Sequence, residues 1–221
     1  MATRTSTRPR VRLEAEDRRS QLIELGLTML ATQPLDRVGI EEIAAAAGIS
    51  RGLLFHYFAS KRDFHLAVAA AAAAQLLEVT DTGRDLPPLD RLRSSLEAYV
   101  GYVAENEALY VGLVRGAAGA DPELQAVFDA NRATFTGRVL DALGQATAEP
   151  ALRVAARGWV GFVEESTLDW LRHGDLDRST LIAIQEDVLV HAVSVALGVE
   201  PSVLEAMAAA LAASRGGVGD S

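Results

Sequence analysis

The 221-residue chain has no cysteine. Disulfide frameworks, thiol catalysis, cysteine-ligated zinc and iron–sulfur clusters are therefore excluded. Long apolar runs are also missing. The longest uncharged one, residues 66–77, is mostly alanine and falls short of the ~20 residues a bilayer-spanning helix needs, so no membrane association is expected. No apolar leader follows the Arg-, Thr- and Ser-rich start, which points to a cytoplasmic protein. Alternating β-branched stretches are nearly absent, which argues against a sheet. The catalytic signatures are missing too: there is no Gly-rich phosphate loop, no HExxH and no Ser-His-Asp order. Neither Glu164 nor Glu165 has a histidine three residues on, as a carboxylate metal site in a helical bundle requires. The four histidines (56, 65, 173, 191) are scattered. The expectation is a protein that is not an enzyme and has no metal site and no cofactor. A helical carboxylate enzyme, or a scaffold that only packs against other proteins, is the alternative.

What is present is an ordinary globular composition, 49% hydrophobic and 23% charged, long enough for a small domain plus a larger one. The net charge of −9 conceals a split. Residues 1–62 hold ten Lys/Arg against seven Asp/Glu, a balance of +3, whereas residues 63–221 hold eleven against twenty-three, a balance of −12. The front part is the one suited to a polyanionic partner.

Seven prolines and eighteen glycines divide the chain into segments of helical period, and the fold class read from them is all-α. Residues 1–13 form a polar arm with Arg4, Arg8, Arg10 and Arg12, expected to be flexible. Helices are expected over about 14–32, 40–47, 51–57, 61–81, 88–106, 107–115, 122–144, 150–174 and 179–198. Pro201 opens a last one, and residues 215–221 form a tail expected to be disordered. Ser50, Ser60, Asp121 and Ser179 are the candidate helix caps.

Residues 40–58, IEEIAAAAGISRGLLFHYF, carry the strongest pattern. Ile43, Ala44 and Ala47 share one face of a two-turn helix. Ala44 is small enough for a second helix to approach, and Gly48, four residues later, can turn the chain through positive φ. Ile49 plugs the turn. Leu54 and Phe58 point inward, leaving Arg51, Gly52, Leu53, Phe55, His56 and Tyr57 outside. This is a helix-turn-helix whose second helix can lie in a DNA major groove.

With Leu22–Ile23, Leu25–Gly26 and Met29–Leu30 before it and SKRDF after it, this stretch resembles the N-terminal domain of the TetR (AcrR-like) transcriptional regulators. The resemblance runs from about Arg18 to Ala67. It implies a helix-turn-helix DNA-binding domain over 14–62 and a larger helical domain over 63–214 for ligand binding and dimerisation. It also implies a ligand-responsive transcription regulator, a repressor released from its operator by a small molecule. The implied DNA contacts are Gly39, Arg51, Gly52, Leu53, Phe55, His56, Tyr57 and Lys61, the last being the chain's only lysine. Four positions depart from the family's habit: Pro34, which ends the first helix, stands where Gly is usual, Gly39 lacks the usual capping hydroxyl, and Leu53 and Phe55 lack hydroxyls for phosphate. Glu41 and Glu42 read as first-turn acids that complement the helix dipole, with a cytosine contact from Glu41 the lesser alternative.

One recognition helix makes too few contacts for an operator, so a homodimer on a palindromic double-stranded site is expected. Residues 179–197 are apolar nearly all round, and 150–173 carries Gly158 and Gly161. In the resembled family, helices at these two positions form the dimer interface. The resemblance also implies an effector pocket among the middle helices, for a small molecule the sequence does not identify. The candidate lining is Tyr99, Tyr102, Tyr110, Phe128, Phe135, Trp159, Phe162 and Glu165, the last being either a ligand anchor or, as the favoured reading, a solvated or intersubunit charge.

Overall fold

A computed structural model describes residues 15–30, 39–83, 85–112, 114, 121–143, 149–204 and 206. The expectations for the arm (1–13), the Pro34 loop, the helix end at Gly144 and the tail (215–221) lie outside these residues. Among the described residues all regular structure is helical: α1 (Ala15–Leu30), α2 (Ile40–Ala46), α3 (Arg51–Tyr57), α4 (Lys61–Val79), α5 (Pro88–Glu105), α6 (Glu107–Val111), α7 (Pro122–Ala142), α8 (Pro150–His173) and α9 (Arg178–Leu197). Residues 201–204 are helical as well.

The boundaries follow capping chemistry. Gly48 sits at φ +63 in the turn after α2, a conformation a side chain resists. Ser50 Oγ then accepts from the Leu53 N–H at 3.2 Å and starts α3. At α4 the capping is reciprocal: Ser60 Oγ accepts from the Asp63 N–H, and the Asp63 carboxylate accepts from the Ala59 N–H. Asp121 caps α7 by accepting from the Glu123 N–H at 2.9 Å. The expected start of α9 is corrected. Asp177 stands at the cap position, not Ser179, and the helix ladder begins with the Leu181 N–H donating to the Asp177 carbonyl. Arg178, now inside the first turn, donates to the Glu97 carbonyl on α5 and ties the start of α9 to that helix.

Two cores result. The first gathers Leu22 and Leu30 of α1, Ile43 and Ala44 of α2, Leu54 and Phe58, then Phe64, Val68, Ala69 and Ala72 of α4. Leu109 of α6 and Leu124 of α7 join it, so it draws on helices well beyond residue 62. The second packs α5, α8 and α9 through Val100, Val103, Leu152, Trp159, Val163, Leu181 and Val193, and takes Leu76 from the far end of α4. Gln185, fully buried between α8 and α9, donates to Ser166 Oγ and Thr167 Oγ1. Its backbone carbonyl accepts from the Trp159 indole at 2.7 Å. By length and composition α9 is apolar enough to cross a membrane, with a mean hydropathy of 1.5, although Glu186 and Asp187 break it into shorter uncharged runs. Its Glu186 pairs with Arg93 of α5 at 2.6 Å, and its inner side lies in the second core.

Close packing of α1 on α4 depends on Gly26. A methyl group there would stand 2.7 Å from Phe64 Cζ and from Val68 Cγ2, both fully buried. A methyl at Gly137 of α7 would meet nothing within 4 Å. Gly137→Ala should therefore gain up to ~1 kcal/mol of helix propensity. Gly26→Ala should lose up to ~2 kcal/mol net, because overpacking costs about 1–3 kcal/mol. Urea unfolding followed by circular dichroism checks both signs.

Candidate functional site

The helix-turn-helix presents its outer face much as its residue pattern requires. Leu54 and Phe58 are buried, while Arg51, Gly52, Leu53, Phe55 and His56 are exposed. Tyr57 differs from expectation: it is half-buried against the first core and meets His56 edge-on, with ring centroids 5.5 Å apart. At Gly52 the space beyond the backbone is open, a Cβ meeting only Ser50 Oγ at 3.9 Å, so a phosphate backbone can come close. The Gly39 N–H donates to the Glu42 carboxylate at 3.3 Å, the backbone half of a capping box; the bond that a hydroxyl at this position would accept from a first-turn N–H is not made. Lys61 opens α4 beside this face and is half-buried. Glu41 plays a part its position in the first turn did not foretell. Its carboxylate pairs with Arg51 Nη1 at 2.8 Å, and the Arg51 guanidinium lies 5.5 Å from the centre of the Phe55 ring.

A cavity of about 570 Å³ runs between α4, α5, α7, α8 and α9. Six of the eight expected residues line it: Tyr99, Tyr102, Tyr110, Phe128, Phe135 and Trp159. Phe162 and Glu165 do not: this corrects the expectation for Phe162, while Glu165 takes its other reading, a solvated charge, and not that of a ligand anchor. Trp159, Val160, Val163 and Glu164 take the inner side of α8, so Glu165 falls on the opposite side, exposed to solvent. Phe162 packs half-buried beside the second core. The buried acid on the cavity wall is Glu164, one residue from Glu165; Asp141 also reaches the wall. Glu164 is held by Arg132 in a two-point pair, both bonds 2.6 Å.

Next to that pair the Tyr99 and Tyr110 hydroxyls meet at 2.5 Å, and Tyr99 stacks edge-on against Phe135. Burial pushes both hydroxyls above the ordinary tyrosine range, so they stay protonated and keep a donor in the cavity. Glu164, chiefly through its hydrogen bond, holds Arg132 in its charged form. Arg138 lies farther along, donating to the Leu77 carbonyl and Thr80 Oγ1 at the end of α4. The arginines were not singled out by the aromatic pattern. Three of them, Arg91, Arg132 and Arg138, reach the wall.

The two sites are physically joined. At the DNA-side end of α4, Arg62 donates twice to Asp121, at 2.6 and 2.7 Å, and also pairs with Glu123. α7, which begins at that pair, supplies Phe128, Asn131, Arg132, Phe135 and Arg138 to the cavity.

An exposed helix of major-groove proportions, tied through one long helix to an internal cavity, defines a DNA-binding regulator with a sensing domain. Comparison with known proteins agrees. Residues 22–68 match the family described as bacterial regulatory proteins, tetR family, and residues 88–192 match the tetracyclin repressor-like C-terminal domain. The chain belongs to the TetR family of transcriptional regulators and is not an enzyme. Among its relatives is the transcriptional activator FasR of Mycolicibacterium smegmatis, 25% identical over 171 residues, 73% of this chain and 76% of FasR. A TetR-family regulator from Streptomyces coelicolor superposes with a TM-score of 0.76 at 26% identity, covering 87% of this chain and 91% of the other. FadR from Bacillus subtilis, solved with stearoyl-CoA, shares the fold at 17% identity, with a TM-score of 0.58 over 79% of this chain and 97% of FadR.

Arg62 lowers the Asp121 pKa to about 2, mainly by hydrogen bonding, well under the usual carboxylate value of about 3.9. The pair's stabilisation is therefore present above that ordinary value and is lost as pH falls toward the folded value. Asp121→Asn keeps a capping oxygen but loses the charge. The stability gap between wild type and this variant should be constant above pH 5 and shrink between about pH 4 and pH 2. Thermal melts across that range measure it, and a gap indifferent to pH refutes the charge pairing.

Proposed function

We propose that the protein is a homodimeric repressor that leaves a palindromic DNA operator when an apolar small molecule fills the central cavity. One observation carries the reading: α4 begins at the DNA-facing side with Lys61 and forms a wall of the cavity through Ala72, Ala73, Leu76 and Thr80. A ligand that prefers a different position of α4 changes the spacing of the two recognition helices. Gly39, Arg51, Gly52, Leu53, Phe55, His56, Tyr57 and Lys61 form the DNA-facing set, within a unit spanning residues 14–62. The effector suited to the cavity is an apolar body carrying few polar groups. Leu76, Leu96, Phe135, Val139 and Leu189 provide the apolar wall, and the Tyr99–Tyr110 hydroxyls the hydrogen bonds.

The dimer face is the outer side of α8 and α9. Val154, Gly158, Gly161 and Glu165 follow one another along α8 at helical spacing, all at least partly exposed. On α9 the matching stripe is Ile184, Val188 and Val195, the last 83% exposed. A stripe this apolar fits a twofold mate, which buries the same surface from both sides, and needs no bilayer.

Three measurements test this. A preferred duplex is first selected from a randomised pool with the wild-type protein. Val188→Glu should convert the dimer into a monomer by analytical ultracentrifugation and abolish tight binding to that duplex. Apolar amphiphiles such as dodecanoate should weaken operator binding by roughly 5–150-fold, the usual range of allosteric coupling. Val163→Trp, which fills the cavity, should bind DNA normally and ignore the amphiphile. A dimer whose DNA affinity no apolar compound alters would refute the sensing reading. A promoter fusion in the host reads the sign of control, with activation, the activity in the name of the FasR relative, as the contrary outcome.

A further inference from the structure

We propose that Glu41 is a specificity-determining residue: it holds Arg51 as a reader of base edges and keeps it off the phosphate backbone. The proposal rests on the DNA-binding role of α3. The pair lies on the surface that faces DNA, with the Arg51 side chain 64% and the Glu41 side chain 69% exposed. An ion pair so exposed adds little to folding, so stability does not account for it. Its electrostatic consequence on that surface is larger. A carboxylate brought toward a polyanion is repelled unless a cation accompanies it, and Arg51, at 2.8 Å, does so.

The hold on Arg51 has two sides. Glu41 takes Nη1, and the Phe55 ring lies 5.5 Å from the guanidinium carbon. A ring face and a carboxylate together restrict a side chain that would otherwise sweep many rotamers, so less freedom is lost on binding DNA. The guanidinium has five N–H donors, and one bond to Glu41 leaves a pair for the O6 and N7 atoms of guanine. This also gives the Phe55 ring a purpose. A tyrosine there would add a hydroxyl for phosphate; the bare ring serves as a platform for Arg51. Within α3 only His56 joins Arg51 as a possible cation, so the direction Arg51 takes dominates the charge of the recognition helix.

If the pairing is removed, Arg51 becomes an ordinary phosphate ligand. Each added phosphate contact steepens the dependence of log K on log salt by about 0.9, worth about tenfold in affinity at 0.1 M salt. The test uses full-length protein and the duplex selected by the wild type, with a scrambled duplex of the same length. Dissociation constants are measured from 50 to 300 mM salt for wild type, Glu41→Gln, Arg51→Ala and the double variant, with melting temperatures as a check on folding. Glu41→Gln should bind the scrambled duplex about tenfold more tightly per protomer, with the steeper slope. Its ratio of selected to scrambled affinity should fall by at least tenfold, and reselection should show one base pair per half-site losing its preference. In the Arg51→Ala background Glu41→Gln removes an unpaired carboxylate and strengthens binding to both duplexes alike, so the ratio of selected to scrambled affinity should stay unmoved. The proposal is overturned if Glu41→Gln matches wild type in both quantities, or if its effect on that ratio persists without Arg51. A wild-type protein with no sequence preference at all overturns the DNA-binding reading, and this proposal with it.

Discussion

Helix α4 is fastened to α7 at three levels, and the relation between the two sites follows from that fastening. At the first turn Arg62 grips Asp121; midway the Asn131 amide donates to the Ala73 carbonyl at 3.3 Å; at the far end Arg138 holds the Leu77 carbonyl and Thr80. All three use polar groups, beside a core that packs aliphatic and aromatic side chains such as Phe64, Val68 and Leu124. Apolar contact is non-directional, whereas a hydrogen bond fixes distance and angle. The three fastenings therefore set the register of α4 on α7, and with it the position of the helix-turn-helix packed on Phe64 and Val68.

The cavity lies against the same pair of helices. Four of its polar groups are matched to one another, Arg132 with Glu164 and Tyr99 with Tyr110. A ligand that offers better partners has to rearrange these pairs, and Arg132 sits on α7, next in sequence to Asn131 and six residues before Arg138. In the proposed mechanism ligand chemistry would reach α4 through α7, the helix that carries both Arg132 and the groups bonded to α4, without a long chain of intermediates.

Much of this was legible in the sequence, and the limits have physical causes. The helix-turn-helix was readable because its steps are local: a small residue at Ala44, positive φ at Gly48, a cap at Ser50, and Leu54 and Phe58 one turn apart. Six of the eight proposed cavity residues line it because large aromatics in an all-helical middle section have few other places to go. Phe162 falls outside the cavity, and Glu164 and not Glu165 reaches it, because one position on α8 rotates a side chain by about 100°, enough to pass from cavity to outer face. The arginine grips on α4 could not be seen in advance. Each joins positions about sixty residues apart, and no local pattern marks an arginine as the partner of a distant carbonyl.

The charge split between the two parts of the chain takes on a sharper meaning in three dimensions. A balance of only +3 over residues 1–62 is a weak pull on a polyanion, and the surface spends part of it on an internal pair, Arg51 with Glu41. A regulator that relied on bulk charge would bind any duplex with similar strength, and the many competing sites in a genome would hold it. Low net charge with a pre-aimed cation shifts the balance toward base-edge contact, at some loss of total affinity. The acidic remainder works in the same direction, since residues 63–221 carry −12 and repel DNA that approaches from any other side. Sparse positive charge on the reading face and excess negative charge elsewhere amount to a single electrostatic arrangement, one that trades affinity for orientation.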